Sequence, residues 1–294
     1  MRVFITFSSS LLLAAGCAPE SSLHSTMHSE STHRVGHAPA ALRAVANPGF
    51  AFIDVDGDDR YDASVDQVAV LDSSGSLSTP YSLVVPHDRS GPLLSSEEAV
   101  TLDIGGDLSL QGTIDCDNTC SGSSAAASTD CTIDITVGGE VDAKSKGALI
   151  ASAQVGSAEI FLSVAGEVDL RQIDVAAAHG SSSSAQSTVV LEAGGSVDLL
   201  GADVLLSGSG DRSLTIATQG DDLSLAKMDV DADSVELYSC DTTAAGCSGV
   251  PVVDLRRFKM ASSSASVCLD EDDISSASGL AVRTNRRTTS NTCQ

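Results

Sequence analysis

A dense group of acidic residues follows an apolar segment near position 50. The segment Phe50–Asp66 reads FAFIDVDGDDRYDASVD. Carboxylate oxygens at alternating positions of a turn can surround a hard cation such as Ca²⁺. We therefore expect a calcium site here, and the alternative is an acidic turn that binds no ion. The expected ligands are Asp54, Asp56, Asp58, Asp62 and Asp66.

The alternating acids resemble the DxDxD calcium loops of EF-hand-like proteins and thrombospondin-type repeats. The sequence departs from the EF-hand pattern at three points: Gly57 precedes the third acid, Asp59 stands where the glycine is expected, and no Glu closes position twelve. The resemblance implies a structural role for Ca²⁺. The ion would fix an N-terminal cap with strands at Gln67–Leu71 and Ser82–Val85.

Cysteines are a second group that could do chemistry, as disulfides or as metal ligands. Outside the cytoplasm they should be oxidised. Sequence proximity favours the pairs Cys240–Cys247 and Cys268–Cys293, and it favours one bridge between two of the three residues Cys116, Cys120 and Cys131. One cysteine of the three would then stay unpaired. Zinc is the weaker interpretation, because the three lack the CxxC spacing and a nearby histidine.

An internal repeat must position these groups. Six segments share the pattern apolar-x-apolar-x-apolar, a glycine turn, then apolar-Asp-Leu-x-x-apolar-Asp-Val, which we interpret as two short strands joined by a turn. The segments are Val100–Asp115, Ile133–Ala148, Ile160–Val175, Val189–Val204, Leu214–Val230, and a split copy made of Val235–Cys240 and Val253–Met260.

The spacing of the repeat predicts a solenoid. The residues that follow the glycine turn, Leu108, Val141, Val168, Val197, Leu223 and Val253, are 26 to 33 residues apart. Alternating Val, Ile and Leu indicates strands, and stacking would place each strand parallel to its counterpart in the next copy. We predict an all-β fold, a right-handed parallel β-helix of about six coils. A β-sandwich is the alternative. The pattern resembles the β-helical stalks of filamentous haemagglutinin-type surface proteins.

In the predicted register, aspartates form two outward columns. The first contains Asp142, Asp169 and Asp198 with Ser109 and Ser224 at its ends, and the second contains Asp174, Asp203 and Asp229. Coils about 4.8 Å apart would bring like charges close together, at a cost of about 1 kcal/mol per pair in water. Cations would relieve this repulsion. The alternative is side chains that fan out into solvent and are screened by salt.

The N-terminal pattern predicts a removable export signal. A basic residue, Arg2, precedes an apolar run too short to span a bilayer permanently. The string LLLAAGC resembles the lipobox of bacterial lipoproteins, which implies cleavage after Gly16 and lipid attachment to Cys17. The alternative is an ordinary signal peptide in which this cysteine is incidental. Because Ala18 is not Asp, the resemblance implies the outer membrane. The histidines of the following segment, His24, His28, His33 and His37, are expected to be free, and capture of Zn²⁺ or Cu²⁺ is the alternative.

Composition divides the chain into five segments. They are a lipoprotein signal peptide over 1–16, a lipidated flexible tether over 17–48, a cap with the acidic loop over 49–98, a parallel β-helix over 99–262, and a C-terminal cap or tail over 263–294.

Composition also limits the function. The formal net charge of −24 repels phosphate backbones, so nucleic-acid binding is not expected. The sequence contains no GxSxG or HExxH motif and no Trp to stack on sugar rings. We expect a lipid-anchored envelope protein with a structural or adhesive role, whose partner is another envelope protein or a surface glycan. A polysaccharide-degrading enzyme that uses aspartates is the alternative.

Overall fold

The computed structural model describes residues 45, 47–87, 91–118, 130–143, 147–180, 184–220, 222–239, 252–254, 257–260, 266–269 and 283–284. The regular structure in these residues is entirely β-strand. None of these residues forms a helix with the length and apolar character needed to cross a membrane.

The strands form three sheets, numbered here in the order in which each repeat visits them. Sheet 1 contains β3 (Ser76–Thr79), β6 (Ala99–Ile104), β9 (Cys131–Val137), β12 (Ala158–Val164), β15 (Ser187–Ala193), β18 (Arg212–Thr218), β21 (Ser234–Ser239) and β24 (Ser266–Leu269). Sheet 2 contains β1 (Phe52–Asp54), β2 (Gln67–Val68), β4 (Ser82–Val85), β7 (Leu108–Leu110), β10 (Val141–Asp142), β13 (Val168–Asp169), β16 (Val197–Asp198), β19 (Asp222–Ser224) and β22 (Val252–Asp254). Sheet 3 contains β5 (Leu94–Ser96), β8 (Thr113–Asn118), β11 (Ala148–Ala153), β14 (Asp174–Ala178), β17 (Asp203–Ser207), β20 (Asp229–Asp231), β23 (Lys259–Met260) and β25 (Arg283–Thr284).

The sheets have the arrangement of a parallel β-solenoid. Successive repeats place one strand in each sheet, and neighbouring strands are every third strand along the chain, except in the pairs β1–β2 and β23–β25. Among the described residues, strand pairings are parallel except those that β1 makes with β2 and with β4, and the isolated bridge between Val45 and Tyr61 is also antiparallel. The all-β prediction with stacked parallel strands is confirmed at this level.

The predicted register is also found. Val141 pairs with Leu108 on one side and with Val168 on the other, and the pairing continues through the later repeats. The internal organisation of each repeat differs from the prediction of two strands. The Val-Asp pair after the glycine turn forms a two-residue strand of sheet 2, and the next Asp-Val begins a separate strand of sheet 3. Each repeat therefore has three strands.

The core consists of files of aliphatic side chains that run from repeat to repeat. Alternate residues of sheet 1, such as Ile133, Ile135 and Val137, are fully buried, while the residues between them point outward. This alternation follows from the two-residue period of a strand. Large aromatic side chains in the described core lie near its ends, at Phe52 and Phe258. Aliphatic side chains fill the narrow space between three sheets.

The glycine turns connect sheet 1 to sheet 2, and they are needed because the backbones stack closely. A Cβ atom on Gly138 would lie 2.6 Å from the carbonyl oxygen of Gly105 in the preceding repeat. The amide of Gly139 instead donates to the carbonyl of Gly106 at 3.0 Å. The glycines therefore provide room for one turn to rest on the turn before it.

The turn from sheet 2 to sheet 3 has a different requirement. The fourth residue after the buried sheet-2 residue has a positive φ in four successive repeats, and only one of the four is glycine. These residues are Gln172 (φ 59°), Gly201 (φ 72°), Lys227 (φ 60°) and Arg257 (φ 62°). The left-handed conformation costs a residue with a side chain about 1–2 kcal/mol. The stacked sheets impose it in spite of this cost.

The parallel sheets begin before residue 99. Strands β3, β4 and β5 continue sheets 1, 2 and 3 within the segment 49–98 that we assigned to the cap. The expected strand Ser82–Val85 is β4, and the expected strand Gln67–Leu71 is shortened to β2. Because β4 pairs with β1 antiparallel and with β7 parallel, it joins the acidic segment to the stack.

Candidate functional site

The acidic segment after β1 is held in shape by its own carboxylates. Asp54 is buried, with only 2% of its surface exposed. Its Oδ1 accepts a hydrogen bond from the amide of Gly57 at 2.8 Å, and its Oδ2 accepts one from Asp59 at 2.9 Å. Asp59 has a positive φ of 59°. The chain therefore curls around the Asp54 side chain immediately after leaving the strand.

Asp66 closes the other side of this loop. Its Oδ1 accepts from the amide of Val55 at 3.0 Å, and its Oδ2 accepts from Asp62 at 2.7 Å. Asp62 in turn accepts from both the amide and the hydroxyl of Ser64, which lowers its pKa. Asp62 and Asp66 therefore already have a structural use in the loop.

Three of the five predicted ligands come together on one side of the loop. Asp54, Asp56 and Asp58 each offer a carboxylate oxygen, and these oxygens lie within 4.8 Å of one another. Desolvation, followed by the charge of Asp58, raises the pKa of Asp56. Repulsion of this kind falls when a divalent cation binds between the carboxylates. The donor set therefore fits Ca²⁺, which takes oxygen ligands and tolerates irregular geometry.

Aromatic rings pack against one another at the acidic loop. The ring of Tyr61 packs edge-on against Phe50 and Phe52, with centroid distances of 4.9 and 5.6 Å. Phe52 is fully buried. Tyr61, within the loop, is thereby fixed to the segment that precedes the loop.

The first aspartate column lies on the outer face of sheet 2, in the predicted register. Asp142 pairs with Asp169, and Asp169 pairs with Asp198. The protein itself places a positive charge in this column, because the guanidinium of Arg171 forms a bidentate ion pair with Asp169. Its Nε also lies 3.8 Å from Asp198. The hydrogen bond to Asp169 and the surrounding negative charge raise the pKa of Arg171.

The same aspartates also shape the backbone. Oδ1 of Asp198 accepts from the amide of Leu200 at 2.9 Å, and Oδ1 of Asp169 accepts from the amide of Arg171 at 3.3 Å. A bond from an Asp side chain to the amide two residues later is typical of a turn. The repeated Asp therefore helps the chain turn from sheet 2 to sheet 3.

The second column lies at the start of the sheet-3 strands. Asp174, Asp203 and Asp229 are in register, and Lys259 occupies the next position. The Nζ of Lys259 lies 3.0 Å from Oδ2 and 2.9 Å from Oδ1 of Asp229. Burial raises the pKa of Asp203, and the charges of Asp174 and Asp229 raise it further. This column also ends in a cation supplied by the chain.

A shallow acidic cleft of about 470 Å³ lies over the outer face of sheet 2. It spans four successive repeats, and Arg171 is the basic residue among those that line it. Its charged and hydroxyl-bearing lining residues are Glu167, Asp169, Arg171, Ser196, Asp198, Asp222, Ser224 and Asp254. Asp254 lies one repeat beyond Ser224, in register with it, and sequence reasoning did not include it in the column.

Two polar clusters near the turn from sheet 3 to sheet 1 were also missed. Arg212 pairs with Asp231 at 3.0 Å and with Asp233 at 2.6 Å. His179, which is buried, hydrogen bonds to Ser187 at 2.7 Å. These residues are 19 to 21 and 8 positions apart in sequence. Their spacing carries no motif, and only the alignment of complete repeats could have brought them together.

One disulfide is present in the described residues, between Cys116 and Cys131. It joins β8 to β9, and both residues are fully buried. The prediction that two of the three nearby cysteines close the first insertion is consistent with this bridge. The remaining predicted sites, Cys17, Cys120, Cys240, Cys247 and Cys293, lie outside the described residues, as does the side chain of Cys268 in β24.

The four histidines at positions 24, 28, 33 and 37 also lie outside the described residues. Comparisons of the chain with protein-family models, with curated proteins and with solved structures give no match.

Proposed function

We propose that this chain is a lipid-anchored scaffold of the bacterial cell envelope, built on a right-handed parallel β-helix of about six coils. The observation that carries this proposal is the uninterrupted aliphatic core beneath three parallel sheets. A core of this kind keeps its outer faces in fixed register over many repeats. Such a solenoid serves to hold a surface in place, in a structural or adhesive role.

The charged side chains of the outer faces support a scaffold over an enzyme. Asp169 is paired with Arg171, and Asp229 is paired with Lys259. Asp169 and Asp198 also accept backbone hydrogen bonds at turns. A general acid or base needs a proton position that it can exchange with a substrate. These aspartates instead stabilise turns and neutralise charges within the chain.

Attachment to the membrane follows from the N-terminal pattern alone. Lipid on Cys17 would hold the solenoid at the membrane surface, and residues 18–48 would act as a spacer. The proposed location is the outer membrane, and the proposed partner is another envelope protein or a surface glycan. Metabolic labelling with a radioactive fatty acid tests the anchor. Label on the wild type that is lost in Cys17→Ser supports it, and equal label on both proteins refutes it.

Calcium is proposed as a structural ion at the acidic loop. Asp54, Asp56 and Asp58 would hold it, and the ion would replace the repulsion between these carboxylates by attraction. We expect Ca²⁺ to raise the thermal midpoint of the protein and a chelator to reverse the effect. Asp56→Asn is the best variant, because Asp54 also holds the loop through two backbone hydrogen bonds.

Asp103→Asn provides the matched control for the calcium test. It removes the same charge from an exposed position on sheet 1, where Asp103 accepts from Ser78 at 3.2 Å. The control should respond to Ca²⁺ like the wild type, and Asp56→Asn should respond less. Equal midpoints of the wild type with Ca²⁺ and with chelator would remove calcium from the proposal.

The cleft on sheet 2 favours a second candidate, a glycan hydrolase that uses two aspartates. Asp169 and Asp198 are adjacent in register, and strands in a sheet are about 4.8 Å apart. Retaining glycosidases use carboxyl groups about 5–5.5 Å apart. The variant with both Asp169→Asn and Asp198→Asn separates the candidates. A scaffold stays folded and keeps its membrane partners, whereas an enzyme loses turnover of polysaccharide with its fold unchanged.

A further inference from the structure

His179 lies in a buried hydrogen-bond network at the turn between sheet 3 and sheet 1. The imidazole is 6% exposed, and Ser187 is fully buried. Nδ1 of His179 lies 2.7 Å from Oγ of Ser187, and the amide of Gly210 donates to Nε2 at 2.7 Å. The hydroxyl of Ser187 donates to the carbonyl of Ser207 at 2.9 Å. The ring of His179 therefore connects its own repeat to β15 and to the turn after β17, both of which belong to the next repeat.

These contacts determine the protonation state of the imidazole. Because Nε2 accepts the amide proton of Gly210, it carries no proton of its own. The single ring proton is on Nδ1 and is donated to Ser187, whose own proton goes to Ser207. Each donor in this series of hydrogen bonds faces an acceptor only while the ring is neutral. A second ring proton on Nε2 would point directly at the N–H of Gly210.

The backbone is built around the ring. A Cβ atom on Gly208 would overlap three atoms of the His179 imidazole. Gly208 has a φ of 146°, a conformation that favours glycine. The amide of His179 also donates to the carbonyl of Ser207 at 2.9 Å. The turn of one repeat therefore closes over a side chain that comes from the repeat before it.

The charges near the ring also disfavour its protonation. Arg212, at the start of β18, donates to the carbonyl of Leu206 at 3.2 Å, which places its guanidinium beside the turn. Burial lowers the pKa of His179, and the charge of Arg212 lowers it further. Asp231 and Asp233 pair with Arg212 and partly offset its charge.

The other acids on the neighbouring elements are placed elsewhere. Asp174 and Asp203 are the first residues of β14 and β17, at the ends opposite His179 and Ser207. Glu192 is five positions after Ser187 on β15. Asp211, in the turn before β18, contributes its backbone carbonyl, which accepts from the amide of Ser187 at 2.9 Å. None of these acids appears among the charges that shift the pKa of His179.

We propose that His179 is an acid-sensitive latch, which holds the turns of two neighbouring repeats together while it is neutral and releases them when it is protonated. Protonation removes the acceptor of the Gly210 amide and places a positive charge beside Arg212. The turn at 207–210 then loses the hydrogen bond that its Gly210 amide donates to the preceding repeat. The sheets keep their own hydrogen bonds, so the opening is local.

Nuclear magnetic resonance of the full chain tests this proposal directly. The ¹⁵N signals of His179, assigned with His179→Gln, should show a proton on Nδ1 and none on Nε2 at neutral pH. The ring should titrate below the ordinary histidine value of about 6.5. An Nε2-protonated ring, or titration at or above that value, would overturn the proposal without use of any other variant.

Amide exchange measures the release itself. After correction for the intrinsic effect of pH, the protection of the Gly210 amide should fall by about tenfold or more between pH 7.5 and pH 5. His179→Gln should have the same protection at both pH values, whatever its level. His87→Gln is the control, because it removes the other histidine of the described residues and should retain the step. A step that persists in His179→Gln, or no step in the wild type, would show that His179 is not a latch.

Discussion

Nε of Arg171 lies 3.8 Å from a carboxylate oxygen of Asp198, which belongs to the next repeat. The same guanidinium binds Asp169 on its own repeat. The guanidinium of Arg171 therefore interacts with acidic residues of two successive repeats in the column. The column of like charges that the repeat predicts is neutralised in part by the protein itself.

Replacement of Arg171 should expose the repulsion within this column. We expect Arg171→Gln to lower the thermal midpoint at low ionic strength, because Asp169 and Asp198 lose their shared partner. Both groups are accessible to solvent, so 1 M salt should remove most of the difference. Lys227→Gln is the control, since it removes one positive charge from an exposed position in the equivalent turn of a later repeat. An equal effect of both substitutions would assign the loss to net charge alone.

Asp115 should make the folded state more stable in acid. Burial, followed by the charge of Asp117, raises its pKa from 3.8 to about 6. Between these values the folded state holds a proton that the unfolded chain has released, so this contribution to stability is lost as the pH rises through 6.

Asp115→Asn should therefore be more stable than the wild type above pH 6 and equal to it near pH 4. The expected gain is about 1–2 kcal/mol, which allows for solvent screening of a carboxylate that is only half desolvated. Urea unfolding at several pH values measures it. Asp117→Asn is the comparison, since Asp117 lies on the same strand and is exposed. A gain for Asp115→Asn that stays constant from pH 4 to pH 8 would contradict the assignment.

The sequence predicted that the repeats stack in parallel sheets, but it did not predict the turn between sheet 2 and sheet 3. The alternation in segments such as Ile133–Val137 repeats with a period of two and aligns from copy to copy, so the sheets and their register could be predicted. The division between sheet 2 and sheet 3 could not, because it occurs within the short string VDLRQIDV. There the turn depends on a positive φ at Gln172, which is not a residue that usually adopts this conformation.

The candidate sites divide in the same way. The columns of aspartates follow from the register, and the cluster at Asp54 follows from a local pattern. The residues that pair with these acids could not be predicted from either the register or the local pattern. Arg171 reaches Asp198, and His179 reaches Gly210, only because the side chains extend from one repeat to the next. Their positions depend on side-chain conformation, which no spacing encodes.

The turns between sheet 2 and sheet 3 provide a test of backbone strain. Gln172 and Gly201 occupy equivalent positions with φ values of 59° and 72°. Gln172→Gly should stabilise the fold by about 0.5–1 kcal/mol, because glycine adopts this conformation without the cost of a Cβ atom. Gly201→Ala should destabilise it by about 1 kcal/mol through its φ alone. Its new Cβ atom would have 3.6 Å to the nearest side-chain atom, Cγ of Gln172, which is an ordinary contact.

Thermal unfolding of both variants measures these opposite shifts. Gly138→Ala is a useful contrast, because Gly138 does not have a positive φ and a Cβ atom there would lie 2.6 Å from the backbone carbonyl oxygen of Gly105. It should cost more than Gly201→Ala, since a Cβ atom there would force two stacked turns apart. No stabilisation by Gln172→Gly together with no loss in Gly201→Ala would mean that the φ of this turn is not strained.

Removal of the disulfide between Cys116 and Cys131 measures the contribution of the cross-link to the free energy of unfolding, with little change in packing. In the next repeat, Ala151 pairs with Cys116 and Ala158 pairs with Cys131, and both alanines are fully buried. The files already contain alanine at these positions, so the double variant Cys116→Ala with Cys131→Ala fits the core. The bridge spans 15 residues, and a loop of this length corresponds to about 3 kcal/mol of stabilisation.

We expect the double variant to unfold at lower urea concentration by an amount that corresponds to this free energy. Its m-value should rise, because the unfolded chain without the bridge exposes more surface. The oxidised wild type should also resist thiol reductants in its folded state, since both sulfurs belong to fully buried residues. If the double variant and the oxidised wild type have the same midpoint, the stability of this part of the solenoid comes from its parallel sheets alone, and the bridge has no measurable effect on folding.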